Sequence, residues 1–269
     1  MWWCPTGPLA FLPIHAAGIY SKDRLRDGPC ISDFVVSSYT PTVSALLDKI
    51  KSTHARDQTS TSLLLISQPS TPGLPPIPLT KEETCRLRDM MTKESIKTLL
   101  LEDSAATTGH VTNEMKRYSW VHFACHAIQD QADPLKSGVH LHDGRLELFE
   151  MMKQQTPNAN LAFLSACQTG TGDEALSDEV VHLAAGLLAA GYRGVVGTMW
   201  SIKDYYGPDI AEAFYQYLLD QTSEKGEGLW LDSASAAHAL DESTRRIREK
   251  LGDTEDALLT WVPYVHFGV

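Results

Sequence analysis

Short, unbroken apolar runs recur along this chain. "LLLIS" stands at 63–67, "LAFLSAC" at 161–167 and "GVVGTMW" at 194–200. A strand with one wet face alternates apolar and polar residues; a strand covered on both faces reads as a continuous run. Amphipathic stretches fall between the runs, and there is no internal repeat of the kind that marks solenoids. The pattern therefore specifies a layered α/β fold with a mostly parallel central sheet and helices on both faces. Strands are expected at 1–4 and 9–13, joined by the turn Pro5-Thr6-Gly7-Pro8. Further strands are expected at 33–38, 61–67, 97–101, 119–126, 160–167 and 194–200.

Helix signals occupy the intervals. Thr80-Lys81-Glu82-Glu83 has the form of a capping box and predicts a helix to about residue 92. The stretch 178–190 opens on Asp178 and Glu179, favoured by the helix dipole, and stops at Gly191. Pro208 sits where a helix over 208–220 begins, and a last helix covers about 233–250. Five prolines between 68 and 79 exclude a helix or a central strand there and specify a stiff surface connection. Residues 220–229 read as a charged loop. Neither segment marks a boundary, so residues 1–269 are expected to form one domain.

The formal net charge of −11 argues against a nucleic-acid groove. No apolar run is long enough to span a membrane, and no secretory signal opens the chain. The five cysteines are odd in number, widely spaced and without a C-x-x-C pair, which fits thiols in a reducing, cytoplasmic setting. The aromatic opening "MWWC" already reads as a strand, so the chain is expected to be a fragment of a longer protein lacking its N-terminal region.

Two strand ends carry candidate chemistry. In "WVHFACHA" (120–127), extended geometry puts His122, Ala124 and His126 on one face and Phe123 and Cys125 on the other. Cys125 is then a small apolar core residue and His122 a packed sheet histidine. In "LAFLSACQTGTGD" (161–173), Cys167 closes an apolar strand and a Gly- and Thr-rich loop follows. Ligands of open parallel sheets bind at the carboxyl ends of strands. His126 and Cys167 both fall at such ends, with a helical crossover near 146–154 between them. An imidazole there would accept the thiol proton and generate a nucleophile for acyl transfer. The backbone N–H groups of Cys167 and of the residue after His126 would bind an oxyanion.

"HFACHAIQDQADPLKSGVHLHDGRL" followed by "LAFLSACQTGTGDEALSDEVVHLAAGLLAAGYRGVVGTMWSIKD" resembles the CHAT domain, a relative of caspases and separases. The opening "PTGPLAFLPIHAAG" is similar to that family's early hairpin and helix, and the closing "WVPYVHFGV" to its terminal strand, so the resemblance spans nearly the whole chain. It implies a caspase-like three-layer sandwich, with His126 as catalytic histidine and Cys167 as nucleophile. The family's histidine is usually followed by Gly; here Ala127 follows, and an Ala would resist a positive φ. The resemblance also implies a protein or peptide substrate, no cofactor, and a regulatory helical-repeat region N-terminal to the domain. Asp204 resembles the position at which separases carry an acidic residue that binds a P1 arginine, as a carboxylate pairs with guanidinium. Asp173, Glu174, Asp178 and Glu179 read as a loop and a helix N-terminus, with a negative entrance near Cys167 as the alternative. No Lys or Arg lies between Cys167 and Arg193, so that loop offers no basic self-cleavage site.

The resulting expectation is a cysteine endopeptidase. The alternative is a catalytically silent caspase-like signalling or scaffold module. A zinc hydrolase built on His140, His142 and His126 or His122 is disfavoured, because Asp143-Gly144 marks the histidines as part of a hairpin. No metal site is expected. Trp200 suits either a pocket wall or the core.

Overall fold

The computed structural model describes residues 1–20, 28–53, 61–128, 130, 132–154, 156, 158–168, 179–200, 202, 204–225, 231–252 and 254–269. The unbroken apolar runs build the middle of the sheet. In chain order the described strands are β1 (Trp2–Trp3), β2 (Ser38–Tyr39), β3 (Ser62–Ser67), β4 (Lys97–Glu102), β5 (Trp120–Ile128), β6 (Gly138–Leu141), β7 (Gly144–Glu147), β8 (Leu161–Gln168), β9 (Gly194–Thr198) and β10 (Tyr264–Gly268). The order across the sheet is β1-β2-β10-β9-β8-β5-β3-β4. From β9 to β4 every neighbour is parallel; β10 is antiparallel to β9. The β6–β7 hairpin attaches antiparallel to the end of β5.

The helices are α1 (Val43–Thr53), α2 (Leu79–Lys93), α3 (Thr108–Met115), α4 (Leu148–Lys153), α5 (Glu179–Ala189), α6 (Gly207–Lys225), α7 (Ala236–Leu251) and α8 (Glu255–Trp261). Side chains of α3, α4 and α5 pack with Leu64, Ile66, Val121, Phe123 and Cys125 on one face of the sheet. Those of α2, α6 and α7 pack with Leu63, Leu65, Trp120, Leu161 and Phe163 on the other. Odd and even residues of one strand thus enter different cores, as the period of two demands. Leu63 through Ile66 are all fully buried, which explains their uninterrupted apolar character. The result is the three-layer α/β sandwich expected from the sequence.

Departures occur where proline, glycine or a local hydrogen bond overrides the pattern. The expected strand 9–13 is a 3-10 turn, Gly7–Phe11, because Gly7 adopts φ +58° and Pro8 starts the turn. The expected strand 33–38 shrinks to β2, since Ile31–Asp33 forms a 3-10 turn in which the Asp33 carboxylate accepts from the Cys30 N–H. The segment 220–225 continues α6 rather than forming a loop: Gln221 through Lys225 contain no helix breaker before Gly226. Helix α5 ends at Ala189, and Gly191 just beyond it takes φ +119° as a left-handed stop. Trp200 is half-buried against the core and beside Trp261 and Val262.

Helix α2 begins without the capping box. Pro78 is its N-cap and offers no side-chain bond, while the Thr80 hydroxyl donates to the Ile77 carbonyl. Glu83, expected to cap, turns inward and is buried. A buried imidazole N–H gives it a stronger partner than an exposed backbone N–H would.

Candidate functional site

The register of β5 against β8 defines the site. His122 pairs with Phe163, Ala124 with Ser165, and His126 with Cys167. Neighbouring strands lie about 4.8 Å apart, and laterally paired residues of a parallel sheet share a face. His126 and Cys167 are therefore adjacent positions at the carboxyl ends of adjacent strands, on the α2/α6 face. Cys125, one residue earlier, belongs to the opposite core. The side chains of Cys167 and Asp204 lie outside the described residues, as do Asp173, Glu174 and Asp178. Asp204 opens the 3-10 turn Asp204–Tyr206, beyond the carboxyl end of β9.

His126 is 2% exposed, and its Nε2 lies 2.8 Å from the carbonyl oxygen of Pro75. A carbonyl only accepts, so this contact places the ring proton on Nε2. Nδ1 then carries the lone pair, and it has no hydrogen-bond partner among the described residues. An imidazole held through Nε2–H in this way leaves Nδ1 as the nitrogen that can exchange a proton. The proline-rich segment 68–78 supplies the fixing carbonyl; Pro76 follows Pro75 and holds it in extended backbone. Sequence reading missed this role, because a backbone carbonyl leaves no side-chain signature.

Ala127 is not among the residues with positive φ, so the strain expected from replacing Gly does not arise. It instead lies within the sheet, paired with Val139 of β6 and Gln168 of β8. The β6–β7 hairpin is less exposed than expected: Val139, Leu141 and Leu146 are buried. His140 is half-buried on β6, whereas His142 lies in the turn, so the two do not share a strand face. Burial, and then the charge of Arg145, lowers the His140 pKa. No group of three metal-ligating side chains occurs among the described residues.

Behind the pair lies a second polar group. His122 is fully buried and stacks on Phe163, with ring centroids 4.8 Å apart. Its Nε2–H donates to Glu83 Oε1 at 2.7 Å. Ser165 Oγ donates to Glu83 Oε2 at 3.1 Å, and the Tyr215 hydroxyl is 3.4 Å from His122 Nδ1. Burial, with the charge of Glu83, raises the Tyr215 pKa well above its ordinary value, so the phenol keeps its proton.

This mostly parallel sheet flanked by helices has the fold of the caspase-like cysteine peptidases. The chain belongs to the CHAT domain family, whose model matches residues 1–269. No curated protein matches it in sequence. Among solved structures it is similar to the Arg-specific cysteine proteinase gingipain R, with TM-score 0.54 and 14% identity over 86% of this chain and 53% of that one. It is also similar to the separase of the Saccharomyces cerevisiae separase–securin complex, with TM-score 0.58 and 13% identity over 89% of this chain and 14% of that one. A complex of Porphyromonas gingivalis RgpB pro- and mature domains matches with TM-score 0.51 and 11% identity over 86% of this chain and 54% of that one. The chain thus spans about half of the gingipain chains and about a seventh of the separase chain. At these identities the likeness concerns the fold. No helix among the described residues is long and apolar enough to cross a membrane.

Proposed function

We propose that this domain is a cysteine endopeptidase that cleaves peptide bonds through a thioester acyl-enzyme. Cys167 attacks the scissile carbonyl. His126 Nδ1 takes the thiol proton and later delivers it to the leaving amine. The N–H groups of Cys167 and Ala127 bind the oxyanion. The observation that carries the reading is the pairing of His126 with Cys167 in the β5–β8 register, with His126 Nδ1 lacking a hydrogen-bond partner among the described residues. No cofactor enters this chemistry. The substrate is a protein or peptide, the setting is cytoplasmic, and a helical-repeat region N-terminal to the domain restrains it.

Asp204 binds a basic P1 side chain in this proposal. The gingipain matched here is described as Arg-specific, which is a property of that protein and supports testing the same preference. A charge-assisted hydrogen bond contributes about 1.5–3 kcal/mol. Asp204→Asn is therefore expected to lower kcat/KM for peptides with P1 Arg by about 10- to 100-fold. Peptides with P1 Ala should change little. Steady-state cleavage of matched fluorogenic peptides checks this, and equal losses on both would remove Asp204 from the pocket.

One observation favours the silent-scaffold alternative. Ala127 has strand neighbours on both sides, where an oxyanion hole needs an N–H open to the substrate. Lack of cleavage across a diverse peptide library, with the fold intact, would support that reading.

A further inference from the structure

The buried carboxylate of Glu83 takes no part in the proposed acyl transfer, yet it lies behind the pair. It is 1% exposed, between α2 and the sheet. Isolating a carboxylate from water costs several kcal/mol, and an apolar side chain of similar volume is often as stable or more so. Stability alone is thus a weak reason for it.

Its contacts are specific. Oε1 accepts from His122, four residues before His126 on β5. Oε2 accepts from Ser165, two residues before Cys167 on β8. The helix that carries Glu83 begins just after Pro78, so the same residue anchors the end of the segment whose Pro75 carbonyl holds His126. Surrounding residues make room for the group. Ala124, the partner of Ser165 in the register, is small. At Gly207, the first residue of α6, a Cβ would come 3.0 Å from Glu83 Oε2. One carboxylate therefore ties together the His strand, the Cys strand and the segment that fixes the imidazole.

We infer that Glu83 is a positioning residue: its bonds to His122 and Ser165 hold His126, Cys167 and the Pro75 carbonyl in the relative placement that proton transfer requires. This rests on the peptidase reading above. It extends that reading to a group which touches neither substrate nor the reacting atoms.

The test needs no substrate. The rate constant for alkylation of Cys167 by iodoacetamide reports how readily the thiol gives up its proton, and peptide mass mapping isolates that cysteine from the other four. The full chain is compared with Glu83→Gln, His126→Ala and the double variant, per folded molecule and well below the melting temperature. Glu83→Gln is expected to slow the reaction about tenfold or more, as misplacement of a catalytic group does. In the His126→Ala background the same change should have no further effect, because Glu83 acts through the imidazole. A general loss of packing would slow both backgrounds alike. Ser165→Ala removes one tie without neutralising the carboxylate, and is expected to slow alkylation about two- to fivefold; it carries the test if Glu83→Gln does not fold. Equal rates in the full chain and its folded variants would overturn the inference, as would the same slowing with and without His126. A rate indifferent to His126→Ala alone would overturn the His–Cys pair itself, and the positioning role with it.

Discussion

His126→Ala is expected to lower peptide turnover by about 10²- to 10⁴-fold while leaving the fold and KM nearly unchanged. The loss should fall on acylation. Without the imidazole the thiol keeps its proton at neutral pH, and the leaving amine has no proton donor. The cost to stability should be small for a physical reason: among the described residues His126 makes one hydrogen bond, to the Pro75 carbonyl, and its Nδ1 already has no partner there. A split of this kind, with kcat down and KM steady, separates a group used in the transition state from one that only binds substrate. If His126→Ala instead unfolded the domain with little loss of activity per folded molecule, the histidine would be structural.

Trp120→Ala should produce the largest loss of stability. Trp120 is fully buried between its register partners Leu63 and Leu161, and its ring centroid is 6.2 Å from that of Tyr215. Removing a buried Trp to Ala costs about 3–5 kcal/mol, a large share of the 5–15 kcal/mol that holds an ordinary domain together. Trp120→Phe should cost less, because it leaves a smaller cavity. It keeps an aromatic ring and deletes an indole N–H that has no partner among the described residues. Urea unfolding of the three proteins checks the ranking. Equal losses for Ala and Phe would mean that the indole N–H, and not the ring, is what the core uses.

How much was legible in the sequence follows from burial. Strands β3, β5, β8 and β9 are buried in the middle of the sheet, so they are mostly apolar and read as runs, broken by buried polar residues such as His122, His126 and Ser165. Short edge strands carry no such pressure. β2 spans only Ser38–Tyr39, and the apolar 9–13 segment reads as a strand although the turn at Gly7-Pro8 runs on through Phe11. At the site, alternation along β5 separated His126 from Cys125, and strand ends singled out His126 and Cys167. What the sequence hid was of two kinds. Pro75 acts through its carbonyl, which any residue has. Glu83 sits in "TKEE", a pattern with a sufficient local explanation as a cap, and only the sheet behind α2 shows that its partner is His122.

The claim on which the rest depends is that Cys167 alone among the five cysteines is an activated nucleophile. Treatment with a peptidyl acyloxymethyl ketone bearing a P1 Arg, followed by peptide mass mapping, tests it directly. One adduct per chain is expected, on Cys167, although Cys4 is exposed and Cys85 half-buried, and it should vanish in His126→Ala. An adduct on Cys4 or Cys85 in preference to Cys167, or labelling of Cys167 that persists without His126, would contradict it.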